Sequence, residues 1–166
     1  MNVERTVCFS GGRPEDFSAL SDGHAAYAKL TMRIKSEILR AAGEGFTHFM
    51  CGMEEGFDLM CGGVFLELKK NREHCTDLRL VAVPPYRGHH YSGYWGRLHA
   101  LIMVRADEVI TLNKHFTASA HYLRSRYLVE NSARVICYHE EQADSGDFII
   151  NYAQEKDLDI VNLKKD

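Results

Sequence analysis

Short apolar runs alternate along the chain with longer segments whose apolar residues recur every three or four positions. Runs of about five mostly apolar residues are typical of strands that are buried on both faces of a sheet. The pattern predicts strands at Thr6–Ser10, Thr47–Cys51, Leu78–Val83, Glu108–Leu112, Ala133–Tyr138 and Asp159–Asn162.

The segments between these runs have the spacing of helices that bury one face. The first, of about 20 residues, ends near Gly43, and its apolar positions are Ala26, Leu30, Ile34, Ile38 and Ala41. The second has on one face Phe57, Cys61, Val64, Phe65 and Leu68. Further helices are predicted at Arg97–Arg105, Ser119–Glu130 and about Asp147–Lys156.

Strands that alternate with helices predict right-handed βαβ crossovers, and therefore a three-layer α/β fold with a mostly parallel sheet. The sequence contains no recognisable linker or internal repeat, so we predict one domain over residues 1–166. The segment Pro84–Gly96 is rich in Gly, His and Tyr. We interpret it as a functional or covering loop.

Composition narrows the classes of function. The chain has 166 residues, 45% of them hydrophobic and 26% charged, and a net charge of −3. That charge argues against non-specific binding of nucleic acid. No apolar run approaches the ~20 residues that span a bilayer, so we expect no membrane association. The five cysteines form no CxxC pair and no signal peptide precedes the first strand, which together favour a cytoplasmic protein.

The loops that follow the strands are the places to look for a ligand, because open parallel sheets bind ligands at the carboxyl ends of their strands. The first predicted strand runs into Gly11, Gly12 and Arg13. Paired glycines allow close approach of the backbone, and a guanidinium suits a phosphate or a carboxylate. The alternative is a tight turn with a solvated Arg13.

The second predicted strand runs into Gly52, Glu54, Glu55, Gly56 and Asp58. Backbone N–H groups could point from this turn into the crevice, and the glutamates could accept hydrogen bonds from ribose hydroxyls or a base amine. The alternative for Asp58 is an ordinary first-turn acid, favoured by the helix dipole. We expect this loop to meet the first one, and a methyl group at Gly52 to cost the fold little if its φ is negative.

Two later segments are also candidates. Arg124 and Arg126 lie on one predicted helix, with a solvated Arg126–Glu130 pair as the alternative interpretation. Ser145 and Gly146 precede the last helix, where an anion could bind, although Ser and Asp are also ordinary N-cap residues.

The sequence predicts no metal site and no bound cofactor. Among nine histidines, His89 and His90 are adjacent and point apart in an extended loop, and His99 is isolated from them. No HxxxH, HExxH or cysteine cluster supports a metal. The GxSxG and GxxxxGK[ST] patterns are also absent.

Five motifs, in order, resemble one known family: TVCFSGGRPEDF, THFMCGMEEGFDLMCGG, LVAVPPY, RADEVITLNKHFTASAHYLRSRYLVENSARVICYH and SGDFIINYAQEKDLDIVNL. They are similar to the strand and turn motifs of the bacterial YpsA-like family in the SLOG superfamily. That superfamily includes the cytokinin-activating phosphoribohydrolases and the DNA-processing protein DprA. The resemblance runs from about Thr6 to Leu163.

The resemblance implies a Rossmann-like three-layer αβα sandwich that binds a nucleotide or nucleotide-derived ligand of ADP-ribose or nucleoside-phosphate type. The residues that it places in the pocket are Gly11, Gly12, Arg13, Gly52, Glu55, Gly56, Asp58, Arg124, Arg126, Ser145 and Gly146. Gly12 stands where many relatives have His, and Ser145 and Asp147 depart from their GGT turn. Gly63 replaces the acid of their AAE motif.

We expect a binding or sensing domain rather than an enzyme. The alternative is an N-glycosidic hydrolase of the phosphoribohydrolase type. Those enzymes use a Glu in a GGxGTxxE turn, where this chain has Ile150, although Glu54, Glu55 or Asp58 could substitute. A DNA-binding role by analogy with DprA is disfavoured by the net charge and the lack of a basic-aromatic stripe. A homo-oligomer that pairs through exposed helices remains open.

Overall fold

The computed structural model describes residues 1–16, 23–71, 75, 77–139 and 148–164. Its strands are β1 (Thr6–Gly11), β2 (His48–Cys51), β3 (Arg79–Ala82), β4 (Glu108–Val109), β5 (Arg134–Tyr138) and β6 (Asp159–Asn162). Its α-helices are α1 (His24–Gly43), α2 (Phe57–Asn71), α3 (Gly93–Arg105), α4 (Ala120–Glu130) and α5 (Phe148–Glu155).

The described strands form one sheet in the order β4-β3-β2-β1-β5-β6. Every pairing is parallel; in β1, for example, Cys8 is in register with Met50 of β2 and with Val135 of β5. The order reverses beside β1, since the chain proceeds outward from β1 to β4 and then crosses to β5. Such a reversal leaves a crevice at the carboxyl ends of the two strands.

Successive residues of β1 face opposite sides of the sheet, and each side packs against its own layer of helices. Val7 and Phe9 belong to a core that includes Ile34 of α1, Phe65 of α2 and Ile102 of α3. On the other face, Cys8 packs in a second core with residues of β2, α4 and α5, among them Met50, Leu128 and Ala153. A strand buried on both faces needs apolar residues at successive positions, as the sequence has. The fold is the predicted Rossmann-like three-layer αβα sandwich.

Two boundaries differ from the sequence-based prediction by more than one residue. β4 ends at Val109, and beyond it Ile110 donates one backbone hydrogen bond to Ala82 before the chain leaves the sheet. α3 begins at Gly93, four residues before the predicted start at Arg97, so it takes the end of the Gly-rich segment into its first turn. Gly96 fits there because the space of a Cβ is occupied by the carbonyl of Tyr91.

The cysteines are all buried and unbridged. Cys51, Cys61 and Cys75 belong to the first core, and Cys8 and Cys137 belong to the second. Burial raises the pKa of the Cys8 thiol to about 12. Within the described residues, no helix combines the length and the apolar character needed to cross a bilayer.

Candidate functional site

The loops after β1 and β2 meet at the carboxyl edge of the sheet. The Phe57 N–H donates to the Gly12 carbonyl at 3.4 Å. Gly56 has φ +95°, and a Cβ there would lie 2.5 Å from the same carbonyl oxygen. A non-glycine residue would therefore suffer both backbone strain and overlap. These contacts confirm that the two loops converge.

Gly11 and Gly52 leave room for protein atoms. The Cβ of Gly11 would overlap the Phe57 ring, and the Cβ of Gly52 would lie 2.7 Å from Asp58 Oδ2 and 2.9 Å from Leu128 Cδ1. Gly52 does not have a positive φ. Because side chains of α2 and α4 close on that point, we now expect a methyl group at Gly52 to cost the fold more than the sequence alone suggested.

The main polar cluster at this edge is built around Glu54, immediately after the β2 turn. Its Oε1 accepts a hydrogen bond from the Tyr91 hydroxyl at 2.7 Å. Its Oε2 accepts one from Arg124 Nη1 at 3.1 Å and lies 3.3 Å from His121 Nδ1. We call Glu54, Tyr91, His121 and Arg124 the Glu54 cluster.

The Glu54 carboxylate is ionised. Its side chain is only 15% exposed, and burial by itself opposes the charged form. The Arg124 charge, the Tyr91 hydroxyl and His121 outweigh burial and lower the pKa of Glu54 to about 2. An ionised carboxylate only accepts hydrogen bonds, so His121 Nδ1 carries a proton in their contact.

Met53 directs the chain from β2 to Glu54 through an unusual turn. Its φ is +64°, in the left-handed region, and its side chain is fully buried in the first core. A non-glycine residue costs roughly 1–2 kcal/mol in that conformation. The packing of the Met53 side chain in the core holds this conformation in place, and strain of this kind tends to concentrate at functional sites.

Arg124 is the buried cation of the cluster. It is 6% exposed, and its Nη1 donates to the Gly52 carbonyl at 2.7 Å as well as to Glu54. Neither Nε nor Nη2 has a hydrogen-bond partner among the described residues. Those two nitrogens form the edge of the guanidinium that pairs with two oxygens of a carboxylate or phosphate.

Arg126 lies two residues further along α4 and does not join the cluster. Its Nε and Nη2 both donate to Glu130 Oε1, at 3.1 and 2.7 Å. The side chain is 43% exposed, and the Tyr152 hydroxyl donates to the same carboxylate. This is the surface pair that the sequence offered as the alternative.

The other predicted residues divide into three groups. Asp58 is buried in the first turn of α2, where with burial its charge raises the pKa of the Cys51 and Cys61 thiols. Arg13 is exposed and Glu55 is half-buried. Ser145 and Gly146 lie outside the described residues. A ligand-binding role for these positions stays a prediction.

Sequence reasoning missed a buried histidine pair beside the cluster. His89 Nδ1 lies 3.2 Å from His99 Nε2, and the His89 ring meets Tyr91 edge-on at 4.9 Å. Burial, and then His99, lower the pKa of His89 to about 4. The Gly-His-Tyr composition of the loop after β3 was the available signal, but only the folded loop brings His89 against α3.

Two depressions on the described surface lie away from this edge. One depression of about 420 Å³ lies between α1 and α2, and another of about 590 Å³ lies between α2 and α3. Neither is lined by a residue of the Glu54 cluster. Among the residues that the structure describes, no group of three His, Cys, Asp or Glu side chains could hold a metal ion.

Comparison with known proteins agrees with the motifs and the fold. Residues 7–163 match a family model, YpsA, described as the YspA SLOG family. No curated protein matches the chain.

Proposed function

Because the chain belongs to the YspA SLOG family, we propose that it binds a nucleotide-derived small molecule, of ADP-ribose or nucleoside-phosphate type, at the carboxyl edge of its sheet. The observation that carries this proposal is the buried Arg124 guanidinium, whose Nε and Nη2 have no hydrogen-bond partner among the residues that the structure describes. A buried cation with unused donors is costly unless something pairs with it. A phosphate oxygen pair meets that need.

Different residues of the Glu54 cluster recognise different parts of the ligand. Arg124 supplies the planar donors for an anion, and the Glu54 carboxylate accepts a hydrogen bond from a ribose hydroxyl. A carboxylate has about four acceptor sites, and the protein contacts of Glu54 use three of them. Arg13, whose backbone lies next to Gly56, offers a second positive charge for a ligand that extends toward β1.

The test is a titration of the purified chain with AMP, ADP-ribose and NAD by isothermal calorimetry. Arg124→Lys keeps the charge but loses the planar fork, so we expect it to weaken binding by about tenfold or more. Arg126→Lys is the matched control on the same helix and should bind as the wild type does. Absence of binding to all three probes, or an equal loss in the two variants, would overturn the proposal.

A second candidate function is hydrolysis of an N-glycosidic bond, favoured by the charge of Glu54. With a pKa of about 2, Glu54 cannot donate a proton at neutral pH, but its negative charge can stabilise the cation that develops at the ribose carbon. Ile150, at the position of the phosphoribohydrolase Glu, packs against the second core in α5. Release of free base from AMP, seen by chromatography and lost in Glu54→Gln, would favour the enzyme.

A further inference from the structure

An exposed aromatic ring lies beside the Glu54 cluster. Because most of the ring is exposed, packing in the core does not account for it. Phe116 lies between β4 and α4 and is 64% exposed. Its ring meets the half-buried Tyr86 ring edge-on, with centroids 5.4 Å apart at 76°. We call Phe116 and Tyr86 the aromatic pair.

The loops that carry the aromatic pair are tied together. Asn113 Nδ2 donates to the Pro85 carbonyl at 2.8 Å, and the Arg87 N–H donates to the Asn113 carbonyl at 2.9 Å. These bonds lie within three residues of both rings. These hydrogen bonds fix the loop that carries Phe116 before any ligand binds. A fixed loop lowers the entropy cost of binding against the ring.

The aromatic pair is continuous with the polar cluster. The Tyr86 ring lies 6.2 Å from the His121 ring, edge to face, and His121 contacts Glu54. An unbroken row of side chains thus leads from the exposed face of Phe116 to the carboxylate and to Arg124. One end of the row is apolar and flat, and the other is charged.

We propose that the exposed face of Phe116, supported by Tyr86, stacks on the base of the bound nucleotide. The inference rests on the proposed function and adds the position of the base: over the loops after β3 and β4, on the side of the Glu54 cluster away from β1. A stack needs only one free ring face, and aromatic stacking accepts any base.

The surroundings of Phe116 favour a small ligand over a protein partner. Its neighbours along the chain, Lys114, His115, Thr117 and Ser119, are exposed and polar or charged. A stable protein interface buries about 800 Å² on each partner, with an apolar centre. A single ring among polar residues does not supply that centre, but it is sufficient for one base.

The experiment compares two probes that differ only in the base, AMP and ribose 5-phosphate, by calorimetry. Loss of a stacked base by alanine substitution corresponds to about a 5- to 150-fold weaker affinity. We expect Phe116→Ala to weaken AMP within that range and to leave ribose 5-phosphate unchanged. Phe116→Trp should retain AMP binding, and Val104→Ala, an exposed apolar position on α3, should have no effect.

Each outcome decides the matter. If Phe116→Ala leaves AMP unchanged, or weakens both probes equally, the stacking role is overturned while the proposed function stands. Equal affinity of the wild type for the two probes overturns it as well. If AMP fails to bind, stacking is overturned, and the proposed function falls with it only if ADP-ribose and NAD also fail. A melting temperature for each variant excludes loss of the fold.

Discussion

Arg124 donates to the main-chain carbonyl of Gly52 at 2.7 Å while the same nitrogen pairs with Glu54. One side chain of α4 thus holds both the end of β2 and the acid that follows it. The Glu54 carboxylate cannot move far without losing its hydrogen bond to the same nitrogen that holds the Gly52 carbonyl. We therefore expect Arg124 to matter both for the stability of the protein and for the proposed ligand binding.

Removal of the Arg124 guanidinium should destabilise the protein. In Arg124→Gln the Glu54 carboxylate stays buried without its cation, so we expect the free energy of unfolding to fall by about 3 kcal/mol in urea denaturation. Adding Glu54→Gln should recover part of that loss. Arg126→Gln, at an exposed pair, should change little, and an equal loss there would contradict the assignment of Arg124 to the buried site.

Glu54 should contribute to loss of stability in acid. Its pKa is lowered from 4.5 to about 2, so its contribution is present above pH 4.5 and is lost as the pH falls toward 2. The shift corresponds to about 3 kcal/mol. Urea titrations at several pH values should show a steeper acid loss in the wild type than in Glu54→Gln. Parallel curves would mean that Glu54 is not held as described.

Protonation of His89 should lower the stability of the protein at a higher pH than protonation of Glu54 does. The folded protein binds its proton only near pH 4, whereas the unfolded chain binds it near 6.5. Stability should therefore be complete above pH 6.5 and fall as the pH drops toward 4. In His89→Gln this part of the pH dependence should be reduced. A His89→Gln variant that keeps the wild-type pH profile would refute the assignment.

A methyl group at Gly52 should lower the melting temperature in the absence of any ligand. Overlap with Asp58 and Leu128 should cost about 1–3 kcal/mol, as overpacking of a core does. Gly43→Ala is the matched control, because no atom lies within 4 Å of its Cβ and alanine favours the helix by up to about 1 kcal/mol. A Gly52→Ala variant as stable as the wild type would show that the edge is less tightly packed.

The sequence was sufficient for the sheet because most strands are continuous apolar runs, and burial on both faces requires that pattern. It was not sufficient for the site, since the Glu54 cluster joins residues 37 to 70 positions apart. One signal could have separated Arg124 from Arg126. Ala120 and Leu128 lie four residues on either side of Arg124, and all three share the buried side of α4.

Because every cysteine is buried, labelling of the thiols in the unmodified chain can be used to follow its unfolding. A thiol reagent reaches these residues only when their surroundings open, so the labelling rate measures local opening without an introduced probe. Cys51, Cys61 and Cys75 report on the layer of α1, α2 and α3, whereas Cys8 and Cys137 report on that of α4 and α5. The order in which the two sets are alkylated would reveal which side of the sheet separates first.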